Sequence, residues 1–261
     1  MKIIDIHTHI YPEKIASSAV ASIQDFYDIH GGKMNGTEEM LLQRGDEAGI
    51  SEFLILGVAT RPDQVQGINN FVIRKVQGQP RFKGLGAIHA GMENPADEVE
   101  RIIAQGLSGV KLHPDFQTFS IDDPRLFPMY EAMQGKYPVL YHMGDVRYDY
   151  SHPQRLKRVL ELFPNLQTIA AHFGGYSMYE TAVEILKDTT CIFDVSSSIM
   201  FFEPGQAERY IGIYGAERMA FGSDYPLWDP VTEVKRFLQL DLTDDQFEQI
   251  AHKTAERVLG F

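Results

Sequence analysis

Eight short β-rich runs, each followed by a longer amphipathic stretch, constrain the fold of this chain more than any other feature. They fall at residues 3–7, 52–58, 84–88, 109–112, 139–142, 168–171, 191–195 and 219–221. Helix punctuation lies between them. Asn94-Pro95 opens a segment whose Val99, Ile102 and Ile103 form one stripe and which Gly106 ends; Asp123-Pro124, His152-Pro153 and Asp229-Pro230 repeat the start signal. Strict strand–helix alternation demands a parallel sheet, because parallel neighbours need crossover connections. Eight such units in 261 residues match a closed (β/α)₈ TIM barrel. The rival, an open doubly wound sheet, lacks its Gly-x-Gly-x-x-Gly turn after any strand. No linker or low-complexity tract interrupts the chain, so residues 1–261 are expected to form one barrel domain. One connection is long. Residues 11–36, after the first strand, contain an apolar helical stretch at 15–26, an insertion suited to a lid or to an extra helix on the rim.

In a parallel barrel every strand ends at the same face, where sites are built. Here the strand ends carry metal-type ligands. His7 and His9 close the first strand, spaced to share a face; Lys111 and His113 close the fourth, His142 the fifth, His172 the sixth and Asp224 the eighth. Each alone has a plain structural explanation: a hydrogen-bonded core histidine, a helix cap at Asp224, a snorkelling Lys111. Together they predict a divalent-metal site. Imidazoles with a carboxylate suit Zn²⁺, and Mn²⁺, Fe²⁺ or Co²⁺ take similar sets. An open position would hold a water whose pKa the ion lowers. Asp224 is then both ligand and general base, and His172, if off the metal, polarises a carbonyl or protonates a leaving group. Asp5, two residues before His7, is expected either to support that ligand or to serve as a structural carboxylate.

A net charge of −12 disfavours nucleic acid and anionic membrane surfaces as partners. The expected partner is a small-molecule substrate, with a homo-oligomer open; Phe201-Phe202 suits an interface or a lid. Met1 leads directly into a strand, no apolar stretch reaches membrane-spanning length, and the single Cys191 has no partner within the chain. Cytoplasmic residence is the resulting expectation.

Asp5-Ile6-His7-Thr8-His9, Gly109-Val110-Lys111-Leu112-His113-Pro114, Val139-Leu140-Tyr141-His142, Ala171-His172-Phe173-Gly174-Gly175 and Phe221-Gly222-Ser223-Asp224-Tyr225-Pro226, in this order, resemble the amidohydrolase superfamily. The closer match is its amidohydrolase-2 branch. The final helix departs from that pattern, with Thr254 where Asn is common. The resemblance implies a distorted (β/α)₈ barrel, one metal held by His7, His9, His142 and Asp224, and His172 active beside it. It also implies an alternative in which a carboxylated Lys111 bridges two metals. In the preferred mononuclear form Lys111 and His113 are free to bind substrate.

Three functions compete. The first is a metal-dependent hydrolase in which activated water attacks an amide, ester or lactone carbonyl; Lys111, His113 and Arg147 would favour a carboxylate-bearing substrate. The second is nonoxidative decarboxylation of an aromatic or unsaturated acid. The third is a catalytically silent metal-binding barrel.

Overall fold

The structure, a computed structural model, describes residues 2–261. All eight expected strands are present: β1 (Ile4–Thr8), β2 (Glu52–Leu56), β3 (Phe82–Ala87), β4 (Val110–Leu112), β5 (Val139–Tyr141), β6 (Thr168–Ala170), β7 (Ile192–Asp194) and β8 (Met219–Ala220). They pair in parallel in chain order. Backbone bonds from Ile6 N to Phe221 O (3.0 Å) and from Asp224 N to His7 O (2.8 Å) bring the eighth strand against the first and close the ring. The fold is a TIM barrel.

Burial on both faces explains why the strands read as near-continuous apolar runs. One set, Ile4, Ile6, Leu54, Leu56, Leu85, Leu140, Ile169 and Ile192, packs with Ala255 and Leu259 of the C-terminal helix. The alternate set, including Phe53, Ile55, Val110, Val139, Tyr141 and Phe193, packs with the helical layer. That layer comprises α1 (Glu13–Tyr27), α2 (Glu38–Ala48), α3 (Val65–Gly78), α4 (Pro95–Ala104), α5 (Pro114–Gln117), α6 (Phe127–Met133), α7 (Pro153–Leu162), α8 (Tyr179–Leu186), α9 (Gln206–Tyr214), α10 (Pro230–Phe237), α11 (Asp244–Glu248) and α12 (Thr254–Leu259). The start signals operate as expected at α7 and α10, where His152 accepts from Gln154 N and Asp229 from Val231 N. Asn94 precedes α4 without a side-chain cap.

Two departures from the sequence reading have physical causes. Strand β3 begins at Phe82 rather than Gly84. Its glycines are not punctuation: a Cβ on Gly84 would lie 2.7 Å from Val72 Cγ1, and one on Gly86 2.5 Å from Ile102 Cδ1. They let α3 and α4 approach the sheet.

The second departure is in β1. Its register runs Ile4 to Glu52 and Asp5 to Phe53, then Thr8 to Ile55, one residue out of step. An inserted residue switches the face that later side chains take. Ile4 and Ile6 therefore sit in the inward set, yet the odd-numbered His7 and His9 reach the barrel mouth. Asp5 and His7 do not share the simple common face that their spacing implies. The described residues contain no helix long and apolar enough to cross a membrane.

Candidate metal centre

A cavity of about 270 Å³ opens at the strand C-termini, walled by Ala19 and Ile23 of α1, Val58, Phe116 and Leu227, with His7, His9, His113, His142 and Asp224 among its polar residues.

The hydrogen-bond partners decide which imidazole nitrogen faces that space. His7 Nδ1 lies 2.8 Å from Asp194 Oδ2, and a carboxylate oxygen can only accept. The ring proton is therefore on Nδ1, and the Nε2 lone pair accepts from Lys111 Nζ at 3.2 Å. His9 Nδ1 donates to Leu56 O at 3.0 Å, which leaves its Nε2 unprotonated as well. A third ring follows by relay. His172 Nδ1 donates to Ser196 O (3.1 Å), so its Nε2 accepts from His142 Nδ1 (3.0 Å), and His142 Nε2 is left bare. Orientation by a partner on the far nitrogen is how metal-binding histidines are held.

Burial reinforces this. Desolvation lowers the pKa of His9 to about 3 and of His172 to about 4, and holds His7, His113 and His142 well below the usual imidazole value. All five are neutral at pH 7. Lys111, fully buried, is lowered to about 8 by desolvation, against the raising influence of Asp194 and Asp224.

Asp224 completes the group. Its backbone is left-handed (φ 59°), a conformation Asp tolerates better than most residues, and Ser197 Oγ donates to its Oδ2. Oδ1 lies 3.5 Å from His7 Nε2 and 3.9 Å from His9 Nε2. One ligand atom from each of His7, His9 and Asp224 falls within a 4.8 Å set. Three converging electron-rich atoms, none carrying a proton, form a donor set that a divalent cation fits. His142 lies outside that tight set. It presents Nε2 to the same cavity and belongs to a neighbouring cluster with His113 and Asp115.

The remaining expected site residues divide. His113 lines the cavity. Lys111 lies behind His7, and His172 stacks on the His7 ring at 5.0 Å, behind His142. Arg147 is not in the cavity lining: Nε and Nη2 bond Asp145, and Nη1 donates to Phe26 O at 2.6 Å. The expected substrate contact is committed elsewhere. Asp5 takes the structural role, accepting from His7 N (3.1 Å) and Ser223 N (2.9 Å), with its pKa raised to about 7 by burial.

Asp194 was missed in the sequence, although it ends a strand like the ligands that were found. Its Oδ1 also accepts from His172 N (3.0 Å) and from Ser196 N (3.1 Å) and Oγ. Asp115, just past β4, was missed too; Ser151 Oγ donates to its Oδ2 at 2.6 Å. So was Tyr27, whose hydroxyl lies 3.0 Å from His113 Nε2 and 3.3 Å from His142 Nε2. Nothing in the sequence spacing marks it.

Comparison with known families and structures agrees with this architecture. The family model described as Amidohydrolase matches residues 4–261. Among solved structures, an uncharacterised TIM-barrel protein from Bordetella bronchiseptica superposes with a TM-score of 0.82 at 23% identity, covering 100% of this chain and 99% of the other. A 5-carboxyvanillate decarboxylase from Sphingomonas paucimobilis gives 0.77 at 17%, covering 100% and 99%. A dihydroxybenzoic acid decarboxylase from a Polaromonas species, with bound manganese and the inhibitor 2-nitroresorcinol, gives 0.76 at 17%, covering 99% and 97%. At these identities the likeness carries the fold. No curated protein matches the sequence.

Proposed function

Because this chain belongs to the amidohydrolase family, we propose that it is a divalent-metal enzyme that decarboxylates a small aromatic or unsaturated carboxylic acid. The observation that carries the reading is the division of the cavity: an apolar wall of Ala19, Ile23, Val58, Phe116 and Leu227 faces the cluster of His7, His9, His142 and Asp224. Such a space suits a flat apolar body with its oxygen atoms at one end. The names of the Sphingomonas and Polaromonas relatives, both decarboxylases, support the same class.

His7, His9 and His142, through Nε2, and Asp224 would hold one ion, proposed as Zn²⁺ with Mn²⁺ the competitor. When bound, the ion supplies positive charge to substrate oxygen atoms. With the apolar body of the substrate filling the space along the wall, water is excluded from the carboxylate beside it, which raises the energy of its concentrated charge more than that of the spread charge in the transition state. Arg147 offers no counterion, since its guanidinium is occupied by Asp145. As the bond to CO₂ breaks, its electron pair stays on the substrate carbon that bore the carboxylate, and a proton drawn from solvent water and relayed by Asp224 takes the place of CO₂ there.

Hydrolysis is the second reading. It is favoured by the fixing of Asp224 through Ser197, which itself accepts from Trp228 Nε1 at 2.8 Å, an arrangement suited to a general base. The metal-loaded protein, tested with hydroxybenzoic and unsaturated acids for CO₂ and with esters, amides and lactones for hydrolysis, separates the two. CO₂ release from an acid of this class is expected; hydrolysis alone would overturn the first reading, and silence on both panels would favour a binding protein.

A further inference from the structure

Arg147 reaches the candidate site without touching the cavity. It follows His142 by five residues and is organised by Asp145, whose Oδ1 accepts both Arg147 N (2.9 Å) and Nε (3.0 Å), while Oδ2 accepts Nη2 at 2.6 Å. The nitrogen left over, Nη1, donates to the carbonyl of Phe26 in the last turn of α1. The guanidinium also lies over the Phe26 ring at 4.7 Å and the Tyr27 ring at 5.5 Å. A bidentate carboxylate on one edge and a helix carbonyl on the other make a rigid fork that lysine does not reproduce.

Upstream of this aromatic end, where Phe26 also meets Phe116 (4.3 Å) and Tyr27 meets Tyr176 (5.5 Å), the helix is lightly packed. Of the fifteen residues of α1 only Ala16 and Val20 are buried, although Ala19, Ser22, Ile23 and Tyr27 line the cavity. The rings of His113 and His142 stack on each other at 4.0 Å, and Tyr27, the last residue of α1, reaches the edge of both with its hydroxyl. The direction of its bonds is set by its neighbours. His113 Nδ1 accepts from Phe116 N (3.4 Å), so Nε2 donates to the Tyr27 oxygen, and the hydroxyl proton is free to point at the bare His142 Nε2.

We propose that Arg147 is a positioning residue that clamps the C-terminal turn of α1 and thereby holds Tyr27 over His113 and His142 as the gate of the cavity. The end of β5 thus supplies both a site histidine and the fastening of the helix that covers it. The proposal rests on the functional reading only in taking this cavity as the substrate site.

Diethyl pyrocarbonate labelling of the full-length protein as purified, read residue by residue by mass spectrometry, tests it without any substrate. His113 is not among the proposed ligands, and the exposed His30 is the internal reference. Arg147→Ala and Tyr27→Ala should each raise His113 labelling relative to His30 by about tenfold, the factor that a charge-assisted bond at a part-exposed site carries. The double variant should label no faster than either, because both open the same gate. Arg147→Lys should fall between. Three results would overturn the clamp: His113 labelled at the wild-type rate in Arg147→Ala, effects that multiply in the double variant, or an equal rise at the buried His172, which would signal general loosening. Failure of the decarboxylation assay would leave these rates unchanged, so the two readings fail separately.

Discussion

Replacing Asp194 by Asn tests how the imidazoles are aimed. The fully buried carboxylate accepts His7 Nδ1 on Oδ2, and His172 N, Ser196 N and Ser196 Oγ on Oδ1. Asn has one acceptor oxygen, and three donors claim it. The amide NH₂ must then face His7, where it can only donate, so the His7 proton moves from Nδ1 to Nε2 and the lone pair turns away from the cavity. Loss of an orienting partner of this kind lowers metal affinity by roughly 10–100-fold, or about 1.4–2.7 kcal/mol. The metal-free fold loses one charge-assisted bond, about 1.5–3 kcal/mol. Chelator competition gives the affinity, and ¹⁵N shifts of the His7 ring give the tautomer. Wild-type affinity in Asp194→Asn, with the His7 proton still on Nδ1, would show that Asp194 does not set the His7 tautomer.

Asp224→Asn should abolish turnover on whichever substrate panel responds while thermal unfolding stays within a few degrees of wild type; retained activity would remove Asp224 from the chemistry. The chelated protein should lose stability as pH falls from about 6.5 to 4.5, because five buried histidines stay neutral in the fold while the unfolded chain protonates them. Asp5 and Glu233 (each about 7) and Asp115 (about 6) act oppositely: their stabilising contribution is present at acid pH and lost as pH rises through those values. With five groups set against three, the urea midpoint should be higher at pH 7 than at pH 5, and midpoints highest at pH 5 or below would contradict it. Gly144→Ala should cost about 3 kcal/mol or more and weaken the site, since φ is 74° and the new Cβ would lie 2.4 Å from Gly175 Cα; an unchanged urea midpoint would count against this.

Much of the barrel was legible because parallel strands buried on both faces, with helices between them, leave a one-dimensional pattern. His7, His9, His142 and Asp224 were legible for a related reason: a polar residue ending an apolar strand in a barrel lands at the mouth, while His172 ends its strand in the same way and packs behind His142. Asp194 obeys the same rule and could have been found by it. The bulge in β1 was not legible, because an inserted residue changes the face without changing the composition. Arg147 and Tyr27 were hidden for another reason. Their meeting depends on how an insertion folds back across the mouth, and local sequence does not encode that distance.

Three unprotonated imidazole nitrogens, of His7, His9 and His142, and the Asp224 carboxylate border the space proposed for a single ion. Anomalous scattering from crystals of the zinc- or manganese-loaded protein tests this placement most directly. One peak is expected, about 2.0–2.2 Å from His7 Nε2, His9 Nε2, His142 Nε2 and an Asp224 oxygen. No peak there, or a peak held instead by His113 and Asp115, would contradict it.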